Sequence, residues 1–337
     1  MATPSRHLSI LNCWSKAGIG TSIVLSCDGE GKNNAGSRIA LDMGTTPAFG
    51  DCMSASVVLL THGHVDHVGA IFSHARVRKL RSSIPTYFLP ASIVPLVQAA
   101  KEAMMALDGT GKCREKDLLE MKLIGVNPGD EFNLPLRKQF DGSQLFIRVF
   151  ATSHAGCPSV GYVIGRRLKP SLKREYQGLP GEKLRELAKS GIQLKETTEY
   201  LEVAYSGDTT VDALSETKSI WESCHTIICE CTMLQASDIA RDMAHDRGHM
   251  HIDDIVQLFH DVDLRKDQRL VLMHISDRYN AEEALELIAE SIPQEISRNI
   301  LVSVSGLTRS YVFKSLSQHG LLSLSTYLSK NRKAEDN

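Results

Sequence analysis

Short apolar runs broken by polar, glycine-rich stretches recur along this chain, and most are too short for anything but strands. They predict strands at Ser22–Ser26, Ile39–Leu41, Val57–Leu60, Leu145–Thr152, Val160–Ile164, Leu201–Ser206, Thr226–Cys229, Leu270–His274 and Ile300–Val304. Apolar residues three and four apart predict helices over 91–106, 181–190, 252–260 and 281–290. Ser92 and Asn280 stand where N-caps belong, and Glu282 and Glu283 suit a first turn. Strands and helices do not alternate strictly, and no repeat is visible. The pattern therefore predicts sheets covered by helices on their outer faces. The charged end Lys330–Asn337 (KNRKAEDN) is expected to fray.

Composition narrows this picture. A length of 337 residues allows about two average domains, although a two-sheet sandwich can be one. Apolar residues at 42% supply an ordinary core. Lys and Arg number 38 against 40 Asp and Glu, so nucleic acid cannot be bound by bulk charge and any basic surface must be local. Eight cysteines are too sparse for a secreted disulfide framework, and they default to small core residues. No apolar run of about 18 residues predicts a membrane span. The opening residues carry only Arg6 and Lys16 before the strand-like Thr21–Cys27, so a cytoplasmic protein is expected.

The 13 histidines call for their own account. Residues 61–70 read THGHVDHVGA, directly after Val57–Leu60. A strand ending there delivers side chains into a loop, and residues two apart on extended chain point the same way. His62 and His64 can thus share one metal, while Asp66 and His67 reach a second. Imidazole and carboxylate without thiolate suit zinc or a similar divalent ion in an open hydrolytic site. Three histidines and an aspartate at set places arise by chance in about one such chain per thousand.

The HxHxDH loop after a strand resembles the metallo-β-lactamase superfamily. Further candidate ligands follow at strand ends: His154 in ATSH, Asp208 in YSGDT and His274 in HISDRY. Within that superfamily the chain resembles ribonuclease Z, short plant-type form. The resemblance rests on AYSGDTT at 204–210, on His274-Ile275-Ser276-Asp277-Arg278-Tyr279, on Gly248–Ile252 and on the stretch Lys173–Leu179.

The resemblance implies an αββα sandwich of two mixed β-sheets, with a catalytic domain over 1–310 and an extension over 311–337. It implies two Zn²⁺ per subunit, with Mn²⁺ as a possible substitute. His62, His64 and His154 would hold one ion, Asp66, His67 and His274 the other, and Asp208 would bridge. Asp66 also belongs to the implied catalytic set, with Glu230 and His251. His251 is the implied proton donor, oriented by Glu230, and His245 and His249 lie close in sequence. Family members carry His-Glu-Ala-Thr where this chain has Cys229-Glu230-Cys231-Thr232.

Residues 166–174 (RRLKPSLKR) hold five cations and no acid, and 165–200 carries nine Lys and Arg against five Glu. Ribonuclease Z inserts a tRNA-binding arm at this point. Arg166, Arg167, Lys169, Lys173 and Arg174 are the candidate phosphate contacts, with Arg278 near the metals and a second basic run at Arg76, Arg78, Lys79 and Arg81. The implied function is zinc-dependent removal of the 3′ trailer from precursor tRNA by a homodimer, with no membrane involved. The alternatives are another hydrolase of this fold, acting on a thioester, lactone or small cyclic phosphodiester, and an idle RNA-binding scaffold.

Overall fold

Two sheets face each other, and apolar strands with both faces covered are the reason. The computed structural model describes residues 8–27, 38–109, 119–136, 143–260, 264–307, 317 and 319–335. The first sheet runs, in spatial order, β1 (Ser9–Lys16), β2 (Gly20–Ser26), β3 (Arg38–Leu41), β4 (Val57–Leu59), β5 (Thr86–Pro90) and β6 (Lys122–Val126). Pairing is antiparallel from β1 to β3 and parallel from β3 to β6.

The chain then enters the second sheet through β7 (Glu131–Asn133), β8 (Gln144–Ala151) and β9 (Val160–Arg167). It leaves to form a small antiparallel pair, β10 (Ser171–Leu172) with β11 (Lys195–Glu196), and returns as β12 (Glu199–Tyr205). Next come β13 (Thr226–Glu230), β14 (Arg269–Met273), β15 (Ile300–Ser303) and β16 (Leu321–Ser323). The spatial order is β16-β15-β14-β13-β12-β9-β8-β7, with β12 to β15 parallel.

Ile23, Leu25, Leu41 and Leu59 of the first sheet meet Ile147, Tyr162, Ile164, Ile228 and Val271 of the second. Alternate residues point outward. Val24, Ala40 and Val58 pack with Ile71 of α1 (Ile71–Leu80) and Val97 of α2 (Val94–Gly109). α3 (Gly181–Lys189) lies between β10 and β11 in sequence, followed later by α4 (Val211–Glu216), α5 (Asp238–Asp246), α6 (Ile252–His260), α7 (Ala281–Ser291) and α8 (Leu324–Glu335). Ile255, Leu258, Leu285, Ile288 and Leu324 cover Ile227, Cys229, Leu270 and Leu272 on the outer face. Burial on both faces explains why the central strands read as continuous apolar runs. Each such side chain contributes about 1.5–3 kcal/mol.

The helix signals were local and strong. Asn280 accepts from the Glu282 and Glu283 amides while Glu283 accepts from the Asn280 amide, a complete capping box. The helix expected from 91 begins with a 3₁₀ turn at Ala91–Ile93 and becomes α-helical at Val94. The charged end expected to fray is helical through Glu335, and 336–337 lie outside the described residues. Beyond residue 310, β16 pairs with β15, and Leu324 and Tyr327 of α8 are buried, so the described part of that extension completes the second sheet. Cys13, Cys27, Cys52, Cys224, Cys229 and Cys231 are buried, and Cys113 lies outside the described residues. Burial pushes the Cys13 and Cys224 thiols up to about 12, as inert core residues require.

Among the described residues no helix is long and apolar enough to cross a membrane. What the fold does for chemistry is simpler. β3, β4, β12, β13 and β14 end at a common rim, and the segments just past them gather there.

Candidate metal centre and active site

Asp208, just past β12, is the hub. Its Oδ2 lies 3.3 Å from Nε2 of both His67 and His274, and 3.8 Å from Nε2 of both His62 and His154. His64 Nδ1 is 3.1 Å from His154 Nε2, and Asp66 Oδ2 is 3.3 Å from His274 Nε2 and 3.5 Å from His67 Nε2. The structure therefore brings together all seven residues named from the sequence, in overlapping groups that include His62, His64 and His154, then Asp66, His67 and His274, and Asp208 with His62 and His67. His249 joins further groups with His154 and Asp208 and with Glu230 and His274.

Outer contacts aim these rings. His67 Nδ1 meets Asp42 Oδ2 at 2.7 Å, His154 Nδ1 the Gly248 carbonyl at 2.9 Å, His62 Nδ1 Thr61 Oγ1 at 3.0 Å and His274 Nδ1 Thr232 Oγ1 at 3.1 Å. With Nδ1 engaged, Nε2 is the nitrogen that each of these rings turns towards the common space. Buried His62 Nε2 and Asp208 Oδ1 find no hydrogen-bond partner. Orphaned donor atoms converging among imidazoles and carboxylates fit divalent metal ions, whose coordination would satisfy them.

Asp42 was not singled out from the sequence, although an Asp directly after an apolar strand is a visible signal. Fully buried, it accepts from the Thr61 amide, Thr61 Oγ1, Tyr205 Oη and His67. Asp42 and His274 both hold positive φ, 51° and 55°, a strained setting that clusters at functional sites. Gly207 has φ +61, and a Cβ there would lie 2.5 Å from Thr61, so only glycine lets the Asp208 loop come this close.

Burial disfavours charge on Asp208, but His274, His67 and His62 outweigh it and hold its carboxyl well below the usual range. Burial and the neighbouring His67 charge push His62 well down.

Beside this cluster stands Glu230, fully buried at the end of β13. It accepts from the Thr209 amide at 2.7 Å, Thr232 Oγ1 at 2.5 Å and the Met250 amide at 3.2 Å. Both its oxygens lie 3.1 Å from His249 Nδ1. The His249 ring stacks on His274 at 5.3 Å and lies 4.8 Å from His154. Burial opposes its charge, but Glu230 and Asp208 prevail and raise its pKa to about 9. Gly248, at φ +71 and with no room for a Cβ against Ala155, delivers His249 to this place.

His251, expected beside Glu230, lies elsewhere. Its ring is fully buried, with Nε2 2.8 Å from the Gln235 carbonyl and Nδ1 accepting from the Asp253 amide at 3.2 Å. The residue at Glu230 is His249, two positions earlier.

The basic stretch also divides. Arg166, on β9, is 4% exposed and is neutralised by Glu202, with Ser143 Oγ beside it. Glu202 is the extra residue where the register of β12 slips between Leu201 and Val203, which turns its carboxylate inward. Arg167 pairs with Glu131 and Glu199. Arg166, buried and neutralised within the sheet, is corrected out of the RNA-contacting set, whereas Arg167 remains partly exposed on that sheet. Lys169 and Arg174 are exposed and Lys173 half-buried, on an arm whose helix α3 buries no residue. Arg278 is exposed, its guanidinium 3.4 Å from Met243 Sδ. In the second basic run, Arg78 donates to the Ser54 carbonyl and Ser83 Oγ, and Lys79 pairs with Glu120.

No family model matches the chain. Its fold is shared with the metallo-beta-lactamase fold protein YhfI of Bacillus subtilis (14% identity, 89% of this chain and 96% of that one, TM-score 0.53) and with yeast PDE1 (10%, 89% and 97%, 0.52). In sequence it is 26% identical to a chloroplastic tRNase Z of Arabidopsis thaliana over 276 residues, 81% of this chain and 72% of that protein. It is 30% identical over 271 residues to the tRNase Z TRZ1 of the same plant, covering 80% of this chain and 89% of that protein. On that likeness the chain belongs to the tRNase Z family, metal-dependent hydrolases built on the metallo-β-lactamase fold.

Proposed function

We propose that this protein is a zinc-dependent endoribonuclease that removes the 3′ trailer of precursor tRNA. The observation that carries this is the convergence of seven ligand-type residues on Asp208, beside a Glu230–His249 pair, in a chain of the tRNase Z family. His62, His64 and His154 would hold one ion and Asp66, His67 and His274 the second, with Asp208 between them. Zinc suits this donor set, and Mn²⁺ is a possible substitute. Such a pair, when bound, supplies Lewis acidity that readies a water and offsets charge on the phosphoryl oxygens.

The chain's own side chains do the rest. Asp66, whose side chain is 13% exposed, is the carboxylate of the set that solvent reaches, and accepts a hydrogen bond that orients the attacking water. His249 takes the role that the resemblance implied for His251. Glu230 receives its Nδ1–H, keeps the ring charged and turns it towards the cluster. The leaving nucleoside oxygen is protonated from that ring. Lys169, Lys173 and Arg174 on the arm grip backbone phosphates, and Arg278 waits at the rim beyond His274. A homodimer, in which one subunit's arm serves the other's site, belongs to the same reading. So do the boundaries, 1–310 as catalytic domain and 311–337 as a C-terminal extension.

The test is processing of a precursor tRNA by the purified full chain with Zn²⁺ or Mn²⁺. Trailer release that stops with chelator and returns with metal is the expected result. An intact precursor alongside rapid thioester hydrolysis would overturn the substrate assignment.

A further inference from the structure

A cleft of about 610 Å³ opens between α4, α5 and α6, one loop away from the metal-binding cluster. Thr210 on its wall is two residues past Asp208 and bonds the Ser153 carbonyl next to His154, while His245 is four residues before His249. The cleft thus borders the site on chain segments that the site itself positions.

Its walls are polar and partly preset. Asp254, fully buried, accepts from Arg241 at 3.1 Å and from His245 Nε2 at 2.7 Å, which fixes both side chains where they line the cleft. Lys218 is half-buried, and among the described residues neither its ammonium nor the Asp212 carboxylate has a hydrogen-bond or ion-pair partner. Lys218 beside Arg241, which Asp254 holds in place, with the Asp212 carboxylate on the same wall, suits a ligand that offers both a phosphate and a hydroxyl donor. A ribonucleotide offers both, and the volume accommodates one.

We infer that this cleft receives one ribonucleotide of the substrate strand flanking the bond to be cut, its phosphate on Lys218 and Arg241 and its 2′-hydroxyl on Asp212. The inference rests on the ribonuclease reading above. It gives the enzyme a grip on the strand next to the chemistry, separate from the arm.

The test measures binding of an uncleavable precursor-tRNA analogue to the full metal-loaded protein across a salt series. Lys218→Gln should weaken Kd by about 3–10-fold and lower the slope of log Kd against log salt by about one. Asp212→Asn should shrink the penalty for 2′-deoxy substitution at a flanking nucleotide. Both residues sit on the surface of short helices, so melting should match the unsubstituted protein. If that protein binds the precursor but Lys218→Gln leaves Kd and slope unchanged, the cleft assignment fails and the ribonuclease reading stands. If it binds no precursor, the ribonuclease reading fails and the cleft assignment with it.

Discussion

His249→Ala and His251→Ala separate two histidines that sequence spacing cannot. Removing the His249 ring leaves Glu230 with the Thr209 amide, Thr232 Oγ1 and the Met250 amide, so the buried carboxylate stays satisfied. The folding cost should be about 2–3 kcal/mol, because the partner lost is a charged ring on a buried carboxylate. Loss of a positioned general acid should slow cleavage about 10²–10⁴-fold, roughly 3–5 kcal/mol in the barrier. His251 presents the opposite case. Its truncation removes the contact with the Gln235 carbonyl, strands the Asp253 amide and opens a buried cavity. Together these should cost about 2–4 kcal/mol of stability. The rate of the surviving folded enzyme should hardly change. The assay is single-turnover cleavage with enzyme in excess, read alongside metal content and denaturant unfolding of each variant. Native metal content with slow cleavage in His249→Ala fits a proton donor, whereas loss of an ion would make His249 a ligand. A 100-fold slower, normally stable His251→Ala would refute the reasoning.

Other perturbations read different parts of the structure. Arg166→Ala should cost about 3–5 kcal/mol, because Glu202 is left buried with only the Leu8 amide, and the salt dependence of RNA binding should not move. Neutralising Lys169, Lys173 and Arg174 together should do the reverse, flattening that salt dependence by about two to three while stability stays within roughly 0.5 kcal/mol. Unchanged RNA binding there would take the arm out of substrate recognition. Burial, helped by the nearby Arg78 charge, pulls the His74 pKa down to about 4 from its usual 6.5, so neutral His74 belongs to the fold. Above pH 6.5 this costs nothing; as pH falls from 6.5 to 4 the unfolded chain takes the proton and the folded one does not, removing about 3 kcal/mol. Unfolding curves of His74→Gln should be flatter than the native protein's over that window, and parallel curves would count against the assignment.

Legibility in the sequence followed the range of the interactions involved. HxHxDH was readable because four ligands share one loop, and His154, Asp208 and His274 because each directly follows an apolar strand. The choice between His249 and His251 turns on the left-handed backbone at Gly248, which sends one ring to Glu230 and leaves the next to pair with Gln235. A glycine is visible in sequence, whereas the direction in which it turns the chain is not. Arg166 read as part of a basic run because its partner lies 36 residues away, in a register slip that forms only when β9 and β12 pair. β1, β6 and β7 escaped notice as edge strands, half-covered and carrying polar residues such as Asn12, Lys122 and Glu131. β5 is central but five residues long, with proline at position 85 before it and Pro90 closing it.

The way the outer contacts interlock bears on how such a centre can assemble at all. Imidazoles and carboxylates this close repel or neutralise one another in the absence of a cation, and nothing in the ligand loop alone would hold them apart. Asp42 answers one side of this, binding His67 and Thr61 from the end of β3 while Tyr205 of β12 donates to it across the gap between the sheets. Thr232 answers the other, joining Glu230 to His274 from the end of β13. Each anchor sits at the end of a parallel strand whose apolar core residues are fully buried, so the energy that keeps the ligands in place comes from packing between the sheets. Asp42→Asn should therefore weaken metal affinity about 10–100-fold with the fold intact, because an amide cannot accept from His67, Thr61 and Tyr205 as the carboxylate does. Metal titration of that variant by calorimetry is decisive, since an unchanged affinity would show that the ligands need no such anchor.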